Sequence, residues 1–354
     1  MTQLVLASRW THANARRGQA LQALQKQDVA AVCELVTYHV RLKGVAGSDT
    51  SPRTLRSYHL AVRDFLGWCW SETQTVALNQ LTSEQIEQYL LDLRTRPRHP
   101  RTRHARPTDE HLSADSARTY LYGVRAMTRA LVWADVLDDD PTREVRAPRA
   151  RTAAHERKGA LPTSLLDELL ALPHTHRRTP GHGARDVAIL MLGARLGLRL
   201  DEMVHLDVAD LDLRAARLRV RQGKGRKART VDVPPGTLAA LQTWLTARRA
   251  VISGQEDHGA LLISFQPAAR GRRLSSRGLY AVVSMYGQML GLDETLRGVH
   301  ALRRTAGTRL YRATRDLHVV ADVLGHASIA TSAVYAKLDT STRKAALIAA
   351  EEVE

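Results

Sequence analysis

Apolar residues recur at helical spacing from Val29 to about Leu137, and four helices account for them. The first is VAAVCELVTYHVRLK. Ser51-Pro52 supplies the polar cap and N1 proline that open a second, TLRSYHLAVRDFLGWCW. Thr82 or Ser83 opens a third, EQIEQYLLDL, with Glu84 and Glu87 favourable in its first turns, and Ser113 precedes a fourth, ARTYLYGVRAMTRALVWADVL. Residues 1–28 lack a clear core pattern and read as an extension or arm. Residues 29–140 read as an all-helical domain, 141–160 as a linker, 161–340 as a second domain and 341–354 as a short amphipathic tail helix.

The second domain changes period. TSLLDELLAL and the buried run ARDVAILMLGARLGL are helical, the latter ending at Gly197. LRVRQGKGRKARTVDVP instead alternates across a Gly-rich turn, which predicts a β-hairpin with strands near 217–221 and 228–233. Helices resume at TLAALQTWLTARRAVI, RGLYAVVSMYGQMLG, VHALRRTAGTRLYR, DLHVVADVLGH and SIATSAVYAKL. The fold class is mainly α with a small antiparallel β-sheet.

Charge adds a partner. In 354 residues, 52 Lys and Arg oppose 36 Asp and Glu, a formal net charge of +16 that favours a polyanion, either nucleic acid or an anionic membrane surface. No apolar run approaches the roughly 18 residues a spanning helix needs, and MTQLVLASRW lacks the order of a signal peptide. Only Cys33 and Cys69 are present, which fits a reducing cytoplasm and no disulfide framework. These features favour nucleic acid over membrane and a cytoplasmic location.

Basic residues concentrate in three places. RTRPRHPRTRHARPTDEH, with Arg94, Arg96, Arg98, Arg101, Arg103 and Arg106 among three prolines, reads as a basic loop able to contact phosphates. The linker carries six basic residues from Arg143 to Lys158. In the hairpin, Arg221, Lys224, Arg226, Lys227 and Arg229 crowd nine residues, an arrangement that calls for an anion nearby.

Several single residues are candidates for chemistry, each with an ordinary structural alternative. Arg199 follows Gly197 and could simply pair with Asp201 or Glu202. Lys224 sits at the hairpin tip. His300 and Arg303, three apart on one helix, share a face. His326 follows Gly325 past a helix end, and Tyr335 comes nine residues later, between Ala333 and Ala336. Gly223-Lys224-Gly225 lacks the spacing of a nucleotide-binding P-loop, and His174, His176 and His182, in a Pro/Gly loop, lack partner ligands for zinc.

Taken together these residues resemble the signature of the tyrosine recombinases, the family of phage integrases and Xer-type resolvases, with Xer proteins closest in appearance. R-L-D-E, the hairpin Lys in GKGRKAR, H-A-L-R-R-T, L-G-H and the final Tyr stand in that order. The intervals also match: 25 residues from Arg199 to Lys224, 23 from Arg303 to His326 and nine from His326 to Tyr335. Arg304 departs from the pattern, because many relatives carry a second His there.

The resemblance implies a helical SAM-like core-binding domain and a tyrosine-recombinase catalytic domain forming a C-shaped clamp on DNA. It also implies a homo- or hetero-tetramer on two duplexes, with the tail helix docking into a neighbouring protomer. Tyr335 would be the nucleophile, forming a 3′-phosphotyrosyl link. Arg199, Arg303 and His326 would hold the phosphate, Lys224 would protonate the leaving 5′ oxygen and His300 would assist as base. The link conserves the phosphodiester bond energy, so no cofactor, metal or ATP is implied.

The chemistry is coherent: guanidiniums offer forked, permanently charged donors. A phenol of pKa about 10 is only roughly one part in a thousand ionised at neutral pH, and so needs a base or a cationic pocket. The implied role is chromosome or plasmid dimer resolution or mobile-element integration and excision. The rivals are a type IB topoisomerase-like nicking-closing enzyme, a non-catalytic DNA-binding regulator on the same fold, and a metal nuclease, for which no convincing carboxylate cluster is evident.

Overall fold

The computed structural model describes residues 9–71, 76–97, 111–148, 159–176, 179–221, 228–254, 256–326, 328–338 and 351. The chain forms two compact units, Met1–Arg151 and Thr152–Glu354.

The first unit is helical: α1 (Ala13–Gln25), α2 (Val29–Lys43), α3 (Pro52–Cys69), α4 (Ser83–Thr95) and α5 (Ala114–Trp133). The starts follow from cap chemistry. Asp28, Ser51, Thr82 and Ser113 each accept the backbone N–H three residues on, and Thr82 and Gln85 complete a reciprocal capping box. Phe65 and Tyr89 meet edge to face at 4.9 Å in the core, and the Tyr89 hydroxyl donates to Asp64 at 2.8 Å. Gly123 of α5 lies so close to α3 that an added Cβ would stand 2.4 Å from the Ala61 Cβ.

Three expectations change in this unit. Residues 13–25 are not an arm, because they form α1 and bury Ala20, Ala23 and Leu24 together with Trp10. Arg16 fastens that helix, its guanidinium 3.5 Å from the Trp133 ring centroid and its Nε donating to the Trp10 carbonyl at 3.0 Å. The basic loop begins later than expected: Arg94 lies in α4, and Arg96 caps it and pairs with Asp64. The remaining loop arginines lie outside the described residues. The first part of the expected linker packs on this unit, with Thr142 and Val145 buried and the Val145 carbonyl accepting from Arg125 at 2.7 Å.

The second unit contains α6 (Thr163–His176), α7 (Pro180–Ala194), α8 (Leu200–Val204), β1 (Leu211–Asp212), β2 (Arg217–Val220) and β3 (Arg229–Asp232). It continues with α9 (Pro235–Ile252), α10 (Ser276–Met289), α11 (Val299–Thr314), α12 (Leu317–Leu324) and α13 (Ala333–Leu338). Helix α7 is apolar on nearly every side, and Ala188, Ile189, Leu190 and Leu192 are all fully buried. The strands form one antiparallel sheet in the order β1-β2-β3, with Leu211 opposite Leu218 and Leu218 opposite Val231. Those residues and Val220 face the core, as period two requires.

His174 and His176 occupy the last turn of α6 and His182 the first turn of α7, so the predicted loop there is mostly helix. Among the described residues no single helix is long and apolar enough to cross a membrane. The tail helix expected over 341–354 lies, apart from residue 351, outside the described residues.

Candidate active site

The site is organised by a carboxylate. Gly197, at φ +63°, turns the chain out of α7, and Arg199 then caps α8. Glu202 occupies the third position of that helix and is 3% exposed. Its oxygens accept from the Arg199 backbone N–H and Nη1, both at 2.8 Å, and from Arg229 Nη1 and Nη2 at 2.9 and 3.0 Å. Arg303 Nη1 stands 4.0 Å away. Burial would raise the Glu202 carboxyl, but hydrogen bonds from Arg229 and Arg199 outweigh it and hold the group below the usual carboxylate range.

Arg303 is itself buried and points into the site from α11. Its Nη1 donates to the Gly197 carbonyl at 2.5 Å and its Nη2 to the Leu324 carbonyl at 2.7 Å. Burial and the Arg199 charge push its pKa down to about 10, still well above neutrality. Arg199 Nη2 donates to the Gly325 carbonyl at 3.2 Å, so the C-terminal end of α12 braces both arginines. Three guanidiniums around one carboxylate leave two positive charges, which suits a phosphodiester and the added charge of its five-coordinate state.

Gly325 ends α12 at φ +64°, and His326 follows it. The His326 Nδ1 lies 2.7 Å from Ser332 Oγ. Burial, then the charges of Arg303, Arg199 and Arg229, push its pKa down to about 4, so the ring is neutral at physiological pH. The centroids of its ring and the Tyr335 ring lie 5.9 Å apart, with the planes at 11° to one another.

Tyr335, on α13, is 4% exposed. Its ring rests on Gly307 of α11, where an added Cβ would stand 2.5 Å from Cε1. The absence of a side chain at Gly307 leaves room for the ring. Burial raises the phenol pKa, while the charge and hydrogen bond of Arg303, with the charges of Arg199 and Arg304, draw it back only in part.

The structure thus brings together Arg199, Arg303, His326 and Tyr335. His300 stands exposed in the first turn of α11, while Arg303 one turn on is buried. Lys224, Arg226 and Lys227 lie outside the described residues. Of the five basic hairpin residues, the two that are described pair within the protein: Arg221 with Asp207 and Asp210, and Arg229 with Glu202. Arg304 donates to the carbonyls of Gly159 at 2.9 Å and Thr295 at 2.8 Å.

In the sequence Arg229 stands out only as one of the basic hairpin residues, Glu202 only as a local ion-pair partner of Arg199, and Ser332 not at all. Among the described residues no group of three or more His, Cys, Asp or Glu could hold a metal ion.

Residues 164–342 match the model of the phage integrase family. Tyrosine recombinase XerC of Herpetosiphon aurantiacus is 33% identical over 204 residues, 55% of this chain and 63% of the relative. XerC of Actinobacillus pleuropneumoniae serotype 7 is 30% identical over 235 residues, 66% of this chain and 72% of the relative. The chain spans less than two thirds of several relatives it matches, 63%, 62% and 48% of three XerC proteins.

Among solved structures, XerH site-specific recombinase bound to a palindromic difH substrate superposes with a TM-score of 0.67 at 18% identity, covering 90% of this chain and 84% of that one. The Tn1549 transposon integrase bound to circular-intermediate DNA gives 0.61 at 17% identity, covering 86% and 94%. These likenesses establish a shared fold.

Proposed function

The chain belongs to the phage integrase family, and on that premise we propose that it is a tyrosine site-specific recombinase acting on a double-stranded DNA recombination site. The observation that carries the reading is the convergence of Arg199, Arg303 and His326 on the buried ring of Tyr335, around a carboxylate that fixes the arginines.

In this reading Arg199 and Arg303 bind the non-bridging oxygens of the scissile phosphate, and neutral His326 adds a hydrogen bond. Tyr335 Oη attacks phosphorus as its proton passes to His300. The bond from phosphorus to the 5′ oxygen breaks, and Lys224 protonates that oxygen. The 5′-hydroxyl of a partner strand then attacks the phosphotyrosyl link and releases Tyr335. One phosphoester forms for each that breaks, so the balance closes without an external energy source. The basic surface of a chain with net charge +16 supports a duplex partner.

A homo- or hetero-tetramer is part of the proposal, as is a cytoplasmic, nucleoid-associated location. The same holds for the biological role, namely dimer resolution or the integration and excision of a mobile element.

The test is a nicked suicide duplex carrying the cognate site. The wild-type chain should form a protein–DNA adduct that survives denaturant, and Tyr335→Phe should form none. An adduct that persists in the Phe variant would overturn the nucleophile assignment.

A further inference from the structure

We infer that Ser332 is a positioning residue that fixes the tautomer of His326 and the placement of Tyr335 together; the catalytic part of this rests on the recombinase reading above. Ser332 sits in the turn between the two residues and is fully buried. Its hydroxyl meets His326 Nδ1 at 2.7 Å, and its carbonyl accepts the Tyr335 backbone N–H at 2.9 Å. One residue therefore touches both the hydrogen-bonding ring and the segment that carries the phenol.

Charge keeps the ring neutral, and the buried hydroxyl then sets the direction of the side-chain bond. Arg303, Arg199 and Arg229 surround His326, and a protonated ring there would be repelled by all three. A neutral imidazole has a single N–H, on Nδ1 or on Nε2. The Ser332 hydroxyl, buried with the ring nitrogen as its partner, donates to Nδ1 so that its proton is not left unpaired. The ring hydrogen is then on Nε2, where it can be given to a phosphate oxygen. The opposite tautomer would present Nε2 as a lone pair and repel that oxygen.

The stacking of the two rings adds a second constraint. His326 and Tyr335 lie nearly parallel, at 11°, so a swing of one ring disturbs the other. The short turn Ile329–Thr331, closed by the Ser332 N–H donating to the Ile329 carbonyl at 2.7 Å, sets the distance between them. Ser332 is held by that turn, and through it orders the donor and the nucleophile as a pair.

The experiment uses full-length protein with ¹⁵N-labelled histidine. Ring-nitrogen shifts are assigned to His326 by difference from His326→Asn. Wild type should show an unprotonated Nδ1 and a protonated Nε2 without DNA. Ser332→Ala should lose that preference, and Ser332→Thr should restore it. On the nicked duplex, Ser332→Ala should cleave at least about tenfold more slowly, the order of loss seen when the orienting partner of a metal-bound histidine is removed. Site binding should stay unchanged, and Thr should recover most of the rate.

A wild-type ring protonated on Nδ1 would overturn the inference, whatever the variants do. So would a slow Ser332→Ala whose His326 keeps the wild-type tautomer. The ring-nitrogen result stands apart from the Tyr335→Phe adduct test, so failure of one is distinguishable from failure of the other.

Discussion

Glu202 and Arg229 form a two-pronged pair at the base of the site, with Nη1 and Nη2 each on its own carboxylate oxygen at 2.9 and 3.0 Å. The pair joins α8 to the first residue of β3, 27 positions along the chain. Arg229 also reaches the Val323 carbonyl at 3.3 Å, near the end of α12. The sheet edge that leads out of the basic hairpin is thereby tied to the arginines of the site.

Removing the carboxylate should therefore cost stability before it costs chemistry. Glu202→Ala leaves Arg199, Arg229 and the buried Arg303 without a counter-charge. Breaking one partner of a buried pair typically costs about 3–5 kcal/mol. Denaturant unfolding of the second unit should show a loss in that range, and a loss below about 1 kcal/mol would show that the arginines do not depend on Glu202.

Gly307→Ala tests the seat of the tyrosine. A methyl group at this position would stand 2.5 Å from Cε1 and 2.6 Å from Cζ of Tyr335, so the ring must move. Overpacking of this kind costs about 1–3 kcal/mol. Because the displaced atoms belong to the nucleophile, adduct formation should fall much further than stability or site binding. Wild-type cleavage by Gly307→Ala would mean that Tyr335 leaves this seat before it reacts.

Much of this was readable in the sequence where local chemistry decides the outcome. Ser51-Pro52, Thr82 and Ser113 announce helix starts because their side chains satisfy backbone donors within three residues. The hairpin strands follow from alternation. Helix α1 escaped notice because two of its three buried residues are alanines, which leave little apolar stripe. Strand β1 is two residues long, too short for any period. Arg199, Arg303, His326 and Tyr335 were legible through their register, whereas the link from Glu202 to Arg229 exists only once β3 is placed beside α8. Ser332 gave no signal, since a serine in a turn is ordinary until its neighbours are known.

Stability should depend on pH through His326. Its pKa is pushed down to about 4 in the folded chain, against about 6.5 for an unperturbed histidine, so the unfolded state binds the proton first. The folded state should then lose stability as pH falls from about 6.5 towards 4, and the contribution should level off below that. Urea unfolding at pH 7 and pH 5 measures the loss. His326→Gln should lose less over the same interval, and an equal loss would place the titrating group elsewhere.

The two arginines should be separable from binding. Arg303 spans the Gly197 and Leu324 carbonyls with two nitrogens, a geometry that a single ammonium cannot reproduce. Arg303→Lys should keep a positive charge in the pocket yet lose the fork that holds it towards a phosphate. Loss of one preorganised donor costs roughly 10²–10³ in rate, and adduct formation should fall by that order. Affinity for the site comes mainly from the sum of phosphate contacts over the basic surface, so binding and its salt dependence should change little. The same comparison for Arg199→Ala, which keeps Arg303 and its two carbonyls, should give a cleavage defect with binding retained. Parallel loss of binding and cleavage in both variants would mean that the arginines hold the fold of the site and do not act on the reacting phosphate.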